Sequence, residues 1–275
     1  MAKEPRNKGQ NRRQDGERRQ APRRRSLGGE QIEGRQAVRE LLIAGRRRVE
    51  FVWIEESVQR KGVVEEIVSL CVSRRVPLIT ASRRKFELAT RSEGHQGVLA
   101  RAAALREVDL EELVEGSGNP FLVVVDGITD PHNLGAVLRS AELAGATGVV
   151  LPQNRTSLIT PTVAKAAAGA VEYLQFALVP GVPNALLQLE KMDVTRIGLD
   201  VRGKGSVYSL NAGEASRVAL VLGAEDRGIA RLTAERCDRL VRIPQVGRLD
   251  SLNVSNAAAI TLFELARLRR PPENS

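Results

Sequence analysis

The stretch from Phe121 to Pro152 constrains the fold of this chain more than any other segment. It opens with an apolar, β-branched run, Phe121–Val125, which is typical of a strand buried on both faces of a parallel sheet. A polar loop, a helical apolar stripe and a second apolar run follow. Because Pro131 biases Asp130 towards an extended conformation, we expect Asn133 to be the helix N-cap. The pattern predicts a strand–loop–helix–strand unit whose loop lies where α/β sheets bind ligands.

Alternating helix and strand patterns continue on both sides of this unit, so the fold class is α/β. Residues 31–105 form a compact α/β pattern, and residues 106–119 turn acidic and rich in glycine and serine, as linkers do. Residues 120–275 repeat the buried-strand signature and end in a helix predicted at 256–269, whose apolar side is expected to comprise Ile260, Leu262, Phe263, Leu265 and Leu268. The sequence therefore predicts two α/β domains joined by a linker.

The positive charge is concentrated at the N-terminus. Residues 1–25 contain ten Lys/Arg against three Asp/Glu, whereas the rest of the chain contributes only +2 to the net charge of +9. A segment with so few apolar residues cannot offset its ordering entropy, so we expect residues 1–30 to form a disordered basic tail. Such tails bind nucleic acid through phosphate neutralisation or act only as solubilising segments, and composition leaves both open.

Composition also argues against several classes of protein. No apolar run reaches the length needed to span a bilayer, and no hydrophobic signal region opens the chain, which predicts a soluble, cytoplasmic protein. Cys71 and Cys237 each lie alone in an apolar helical pattern and are expected to fill the core. With two histidines and no cysteine pair at ligand spacing, no metal site is expected. His95, in a glycine-bracketed loop, is either a ligand contact or structural.

Three polar loops follow apolar strands and carry the candidate chemistry. A single parallel sheet would bring such loops to one edge. The helix after the first loop carries Arg139, whose planar guanidinium suits a phosphate or a developing oxyanion. Taken singly, each motif also has an ordinary explanation as an exposed arginine, a turn or a cap. The loops are 130–135, 223–228 and 243–255.

Together and in this order, the three motifs resemble the SpoU (TrmH) family of RNA ribose 2′-O-methyltransferases. The matching segments read DPHNLGAVLRSAELAG, LVLGAEDRGI and IPQVGRLDSLNVSNAAAITLFE. The preceding domain, with GRQAVRELL and HQGVLARA, looks like the ribosomal-protein-like RNA-binding domain of one branch, which methylates a guanosine of 23S ribosomal RNA. The chain differs from the commonest pattern at Gln245, Asp226-Arg227 and Asn256, which bears on the shape of the pocket and the choice of substrate.

The resemblance implies a C-terminal trefoil-knotted α/β methyltransferase domain, S-adenosyl-L-methionine as cofactor, RNA as partner, and a homodimer. It assigns these site residues: Asn133, Arg139, Glu225, Ser251 and Asn253. It also implies that Gly223, Ile243 and Leu252 line the cofactor site. A guanidinium pKa above ~12 makes a neutral arginine costly, so we expect Arg139 to stabilise a developing alkoxide rather than to act as a base, with Glu225 orienting it.

Two alternatives stay open at this point. The same chemistry could act on transfer RNA or on a resistance-type nucleotide of ribosomal RNA. In a different class of function, the chain could be a non-catalytic RNA-binding or ribosome-assembly factor that keeps the fold as a scaffold.

Overall fold

The protein, described by a computed structural model at residues 26–92, 94–249 and 251–270, consists of two α/β domains. The strongly basic residues 1–25 lie outside the described residues. Residues 26–30, which were expected to belong to the same tail, are instead part of the fold. Leu27 is buried in the core of the larger domain, and Gly28 forms a β-bridge with Ile159.

The small domain is a four-stranded mixed sheet with helices packed on it. Its strand order is β1-β4-β2-β3, and β2 is parallel to β3 but antiparallel to β4. Val52 and Ile54 alternate along β2 and face α1 and α2, which places the main core on that side of the sheet. The elements are β1 (Gln31–Glu33), α1 (Arg35–Ala44), β2 (Val49–Glu55), α2 (Val63–Ser73), β3 (Leu78–Ala81), α3 (Arg83–Ala89) and β4 (Val98–Ala102).

The larger domain is an eight-stranded sheet in which every pair of neighbouring strands is parallel. Its elements are β5 (Glu107–Val108), α4 (Leu110–Glu115), β6 (Phe121–Asp126), α5 (Pro131–Leu143), β7 (Gly148–Pro152), α6 (Pro161–Ala166), β8 (Gln175–Val179), α7 (Val182–Lys191), β9 (Thr195–Leu199), β10 (Gly205–Ser206), α8 (Ala212–Ser216), β11 (Val218–Gly223), α9 (Arg231–Ala234), β12 (Arg239–Arg242) and α10 (Val254–Arg269). The strand order is β10-β12-β9-β11-β6-β7-β8-β5. One core lies on the α5, α6 and α10 face and a second on the α4 and α7 face, which is why the strands read as continuous apolar runs.

The segment predicted as a linker is a structured part of the larger domain. Strand β5 pairs with β8 at the sheet edge, and Leu110, Leu113 and Val114 of α4 are buried. The prediction weighed the acidic and glycine residues and overlooked the apolar positions at helical spacing between them. The sheet edge is therefore covered, and the free connection between the domains is short.

The two domains are joined by a buried ion pair. The Arg47 guanidinium donates two hydrogen bonds to the Glu172 carboxylate, and the two side chains are only 6% and 1% exposed. Arg47 also donates to the backbone carbonyls of Gly29 and Ala103, both at 2.7 Å. Nearby, the Tyr173 hydroxyl donates to Glu40 of α1. These contacts hold the small domain against the larger one.

The last helix buries only part of the apolar side predicted for it: Leu262 and Leu265 are buried and Leu268 packs against the core, whereas Ile260 and Phe263 are exposed. Helix α10 starts at Val254, two residues earlier than expected, and buries Ala258, Leu262 and Leu265. Ile260 and Phe263, which were assigned to its apolar side, are 37% and 48% exposed. Helix α10 therefore presents two large apolar side chains to its surroundings.

Both thiols are embedded in apolar surroundings. Cys71 is buried in the small-domain core, and Cys237 is partly buried beside the second core of the larger domain. Burial raises the pKa of the Cys71 thiol to about 11 and that of Cys237 to about 12. The expectation that both fill the core is fully met by Cys71. Among the described residues, no helix combines the length and hydropathy required to cross a membrane.

Candidate functional site

The carboxyl ends of four adjacent strands, β12, β9, β11 and β6, meet at one edge of the large sheet. The three loops singled out in the sequence leave this edge from β6, β11 and β12. They come together because neighbouring parallel strands end on the same side. A fourth loop, after β9, joins them there and was not predicted as part of the site.

The first loop winds directly into α5, contrary to our expectation. Asp130 is the N-cap, and its carboxylate accepts hydrogen bonds from the backbone N–H groups of His132 and Asn133. Pro131 takes the first helical position, where its missing N–H has no helical acceptor in any case. Asn133 is therefore inside the first turn, and its side chain is free for other contacts.

Asn133, Glu225 and Asn253, one from each predicted loop, form a closed hydrogen-bond network. The Asn133 amide donates to Glu225 Oε2 at 2.9 Å, and the Asn253 amide donates to Glu225 Oε1 at 3.0 Å. The Asn253 amide also donates to Asn133 Oδ1 at 3.0 Å. Asn253 Oδ1 is the N-cap acceptor of α10 and binds the N–H and hydroxyl of Ser255. Each amide thus has a single orientation that satisfies the network.

A cavity of about 660 Å³ opens beside this network, within the range of small-molecule and cofactor sites, which is roughly 300–1,000 Å³. Gly223, Ile243 and Leu252, predicted to line a cofactor site, all line it. Glu225 and Ser251 line it as well.

A second cavity of about 270 Å³ is lined by Asn133 and Asp130, among others. Glu225 and Arg227 line both cavities, so the two spaces adjoin at the loop after β11.

Gly223 is required by the close approach of two backbone segments. A Cβ atom at this position would lie 2.1 Å from the carbonyl carbon of Gly228. The loop closes tightly because Ala224 and Gly228 exchange backbone hydrogen bonds of 3.1 and 2.9 Å. Gly228 itself has a φ of +67°, in the left-handed region that favours glycine. The two glycines shape the cavity wall by allowing this turn.

The ion pair between Asp200 and Arg202, which we call the Asp200–Arg202 brace, links the fourth loop to the loop after β11. The buried Asp200 carboxylate accepts from the Arg202 side chain at 2.8 and 2.7 Å and from the Ile229 N–H at 3.1 Å. Arg202 also donates to the Ile229 carbonyl. Burial by itself raises a carboxyl pKa, but the hydrogen bonds and charge of Arg202 and the Ile229 N–H outweigh it and leave the pKa of Asp200 below its ordinary value. The only sequence signal for this brace was a charged Asp-x-Arg after a buried strand.

Arg139 is the one predicted site residue that the structure does not bring to the network. It is exposed in the third turn of α5 and lines neither cavity. No hydrogen bond or ion pair joins it to another described residue, so the predicted orienting contact from Glu225 is not present within one chain. Leu143, one turn further along the same helix face, is 63% exposed.

His95 has a structural environment. Its ring packs on Phe86 with centroids 4.7 Å apart, and its Nδ1 accepts the Gly97 N–H at 3.1 Å. These contacts favour the structural explanation. None of the described residues form a group of three or more His, Cys, Asp or Glu side chains that could hold a metal ion.

Comparison with known families assigns both domains. Residues 120–263 match the SpoU rRNA Methylase family, and residues 31–108 match the family described as RNA 2'-O ribose methyltransferase substrate binding. The first match covers strands β6 to β12 of the large sheet and both cavities, and the second covers the small domain and strand β5.

Curated relatives and solved structures agree with this assignment. The chain is 38% identical over 246 residues to the 23S rRNA (guanosine-2'-O-)-methyltransferase RlmB of Pseudomonas putida, covering 88% of this chain and 97% of the relative. It is 42% identical over 233 residues to RlmB of Xylella fastidiosa, covering 83% and 88%. The AdoMet-bound rRNA methyltransferase of Sinorhizobium meliloti superposes with a TM-score of 0.70 at 25% identity, covering 86% of each chain. The SpoU methyltransferase AviRb of Streptomyces viridochromogenes, with AdoMet, shares the fold at a TM-score of 0.72 and 21% identity, covering 87% and 90%. The chain therefore belongs to the SpoU rRNA methylase family.

Proposed function

We propose that this protein transfers a methyl group from S-adenosyl-L-methionine to the ribose 2′-hydroxyl of a guanosine in 23S ribosomal RNA. The relatives that carry this activity in their names align over most of both chains. The observation that carries the proposal is the Asn133–Glu225–Asn253 network at the junction of two cavities. One cavity has the size of a cofactor site, and the other adjoins it at Glu225.

The larger cavity suits the cofactor by its shape and its lining. It combines apolar side chains, Ile243 and Leu252, with backbone brought close by Gly223 and Gly228. Apolar walls with a few polar groups are typical of cofactor sites. When bound, the cofactor supplies an electrophilic sulfonium methyl. We infer that Gly223, Ile243 and Leu252 hold it.

The chain's own contribution is to position the hydroxyl and to stabilise the negative charge that develops on its oxygen as the proton is released to solvent. Positioning alone supplies up to ~7–11 kcal/mol in well-oriented reactions. Glu225 and the two asparagines are fixed by their mutual hydrogen bonds, which suits them to hold a ribose in one orientation. Ser251 lies on the cofactor side of the same junction. Arg139 supplies the positive charge that stabilises the developing alkoxide.

Because Arg139 lies outside the cavities of its own subunit, we propose that it serves the site of a second subunit in a homodimer. The exposed Leu143 of α5 and the exposed Ile260 and Phe263 of α10 lie on two helices that pack side by side. Exposed large apolar side chains on neighbouring helices suit a subunit interface. Arg139 shares the helix face of Leu143, so such an interface would carry it towards the partner.

The path of the chain after β12 supports the proposed trefoil knot. Strand β12 lies beyond β9 in the sheet, and the chain then returns to pack α10 against α5 and β11. We further propose that the protein works in the cytoplasm, where a bacterial enzyme of this kind meets its RNA.

The first test is methyl transfer from labelled S-adenosyl-L-methionine to total RNA from a strain that lacks the protein, followed by mapping of 2′-O-methyl sites. One new mark at a guanosine of 23S ribosomal RNA is expected. A mark on transfer RNA or on another ribosomal nucleotide would keep the chemistry and replace the substrate. No mark on any RNA, assembly intermediates included, would favour a scaffold role.

The second test asks which subunit provides Arg139. Arg139→Ala and Glu225→Gln are each expected to be inactive, and mixing them with subunit exchange should restore about a quarter of wild-type activity, since half the dimers then contain one intact site. No recovery, with exchange verified, would place both residues in the same subunit's site. Arg139→Lys keeps the positive charge but removes the planar guanidinium. Near-full activity of this variant would show that only the charge is needed.

A further inference from the structure

The small domain has a second sheet face that is only partly covered. Phe51 and Trp53 alternate with the core residues of β2 and therefore point to the side opposite α1 and α2. On that side α3 contributes Phe86, which is buried with Ala81 and Leu99 in a small cluster. Phe51 and Trp53 pack against this cluster and stay partly exposed. Two of the eight aromatic residues of the whole chain thus lie side by side, each partly exposed.

The two rings and the side chains beside them form what we call the aromatic face: Phe51, Trp53, Ile79, Lys85 and Arg101. The two rings are stacked with centroids 5.5 Å apart and planes inclined by 28°. Lys85 Nζ lies over the Trp53 ring, 4.7 Å from its centroid, as a cation–π contact. Arg101 is the cross-strand neighbour of Phe51, and Ile79, 40% exposed, is that of Trp53.

The charge of this domain complements a polyanion. Residues 31–105 contain 14 Lys/Arg and nine Asp/Glu, whereas residues 106–275 contain 18 and 20. Arg101 pairs with Glu50 at 3.4 Å, and both side chains are more than half exposed. Because an exposed pair of this kind contributes little, its guanidinium can exchange the carboxylate for a phosphate. Cations therefore border the stacked rings on two sides.

We propose that the aromatic face binds an unpaired segment of the substrate RNA, away from the target nucleotide, by stacking bases on Phe51 and Trp53. Every base has a face that stacks on an aromatic ring, and single-stranded nucleic acid is bound by such rings inside a positively charged groove. Lys85 and Arg101 contact the neighbouring phosphates. The proposal rests on the proposed function for the identity of the RNA, whereas the surface and its chemistry stand on their own geometry.

Trp53 is the only tryptophan in the chain, so its fluorescence reports on this face alone. Titration of the full-length protein with a short single-stranded oligoadenylate should quench the emission, because a stacked base covers the indole. Inorganic polyphosphate has the charge without bases and should leave most of the emission. Absence of quenching at saturating oligonucleotide, or equal quenching by polyphosphate, would overturn the proposal.

Variants locate the contact. Phe51→Ala should weaken oligoadenylate binding about tenfold, since it removes one stacking partner. Arg101→Ala, which truncates an exposed side chain and leaves the core intact, should weaken it several-fold and reduce its salt dependence. Tyr208→Ala, which removes a 58% exposed aromatic residue of the larger domain, is the matched control and should bind as the wild type does. Wild-type binding by both Phe51→Ala and Arg101→Ala would contradict the proposal.

Methyl transfer is measured separately, with and without these substitutions, to separate the two proposals. Quenching by oligoadenylate in a protein that methylates no RNA would retain the aromatic face and remove the enzymatic function. Normal methyl transfer together with no quenching by oligoadenylate would retain the enzymatic function and remove the aromatic face as a binding surface.

Discussion

The two domains place their charged groups in opposite ways. In the larger domain the charges at the site are satisfied internally, as in the Glu225 network and the Asp200–Arg202 brace. In the small domain, Lys85 and Arg101 lie at an open surface beside aromatic rings. Groups that must position one hydroxyl have to be held rigidly by hydrogen bonds, whereas groups that hold a polyanion have to remain available to it. This difference fits the two proposals, in which the larger domain carries out the chemistry and the small domain binds RNA.

Breaking the Arg47–Glu172 pair tests how much the contact between the two domains stabilises the protein. Arg47→Ala leaves the buried Glu172 carboxylate without its partner and should lower the free energy of unfolding by about 3–5 kcal/mol. Urea denaturation followed by circular dichroism measures it. Arg231→Ala, which removes an exposed pair with Glu235, is the control and should cost about 0–1 kcal/mol. Equal effects of the two substitutions would mean that the interface pair contributes no more than a surface pair.

Replacing Glu225 tests the site without touching the small domain. Glu225→Gln places an amide opposite the Asn133 and Asn253 N–H donors, which cannot satisfy both, so methyl transfer should fall about 10²–10³-fold. Oligoadenylate quenching of Trp53 should be unchanged. Glu235→Gln, an isosteric change at an exposed position directly after α9, serves as the control in the same assay. Retained methyl transfer in Glu225→Gln would remove the network from the mechanism.

Replacing Asp200 tests whether the pairing of its buried carboxylate with Arg202 also stabilises the larger domain. Because its folded pKa lies below the ordinary carboxyl value of ~3.9, its contribution is present above that pH and is lost as pH falls through the folded pKa. Asp200→Asn should therefore lower the free energy of unfolding by about 1–3 kcal/mol at pH 7. Denaturation curves from pH 7 to pH 3 should show the wild-type advantage shrinking below about pH 4. An advantage that is the same across this range would exclude Asp200 as its source.

Removing residues 1–25 tests whether the small domain binds RNA without help from the basic N-terminal segment. We expect RNA binding to weaken about tenfold and its salt dependence to become shallower, since ten cations are lost. Filter binding across a salt series measures both quantities. A tail with the same residues in shuffled order should restore binding if charge alone is responsible. Identical salt slopes with and without the tail would leave it a solubilising segment.

Much of the larger domain could be predicted because its signals are local. Five-residue apolar runs such as Phe121–Val125 have few folded alternatives, and they lie in the sheet as expected. Three motifs in a fixed order were enough to identify the family and to name Asn133, Glu225 and Asn253. Their assignment as site residues stays a prediction, although the fold brings these three together.

The errors came from features that local patterns do not carry. The segment containing Leu110 was taken for a linker because its composition masked three buried positions. Asn133 was expected to be the helix N-cap, but Asp130 competes better for the free N–H groups. Ile260 and Phe263 are exposed because α10 turns Ala258, Leu262 and Leu265 towards the core, which depends on how the helix packs against α5. Asp200 gave almost no signal, since one carboxylate after a strand is common.

The sequence by itself determined the α/β class, the positions of most strands and the family, since buried parallel strands and loop motifs are written in consecutive residues. Only the tertiary structure decided which side chains meet. Glu225 lies 92 residues from Asn133, and Arg47 lies 125 residues from Glu172. Pairing over such distances depends on strand order and on how the domains pack, and these follow from the free energy of the whole fold rather than from any local pattern.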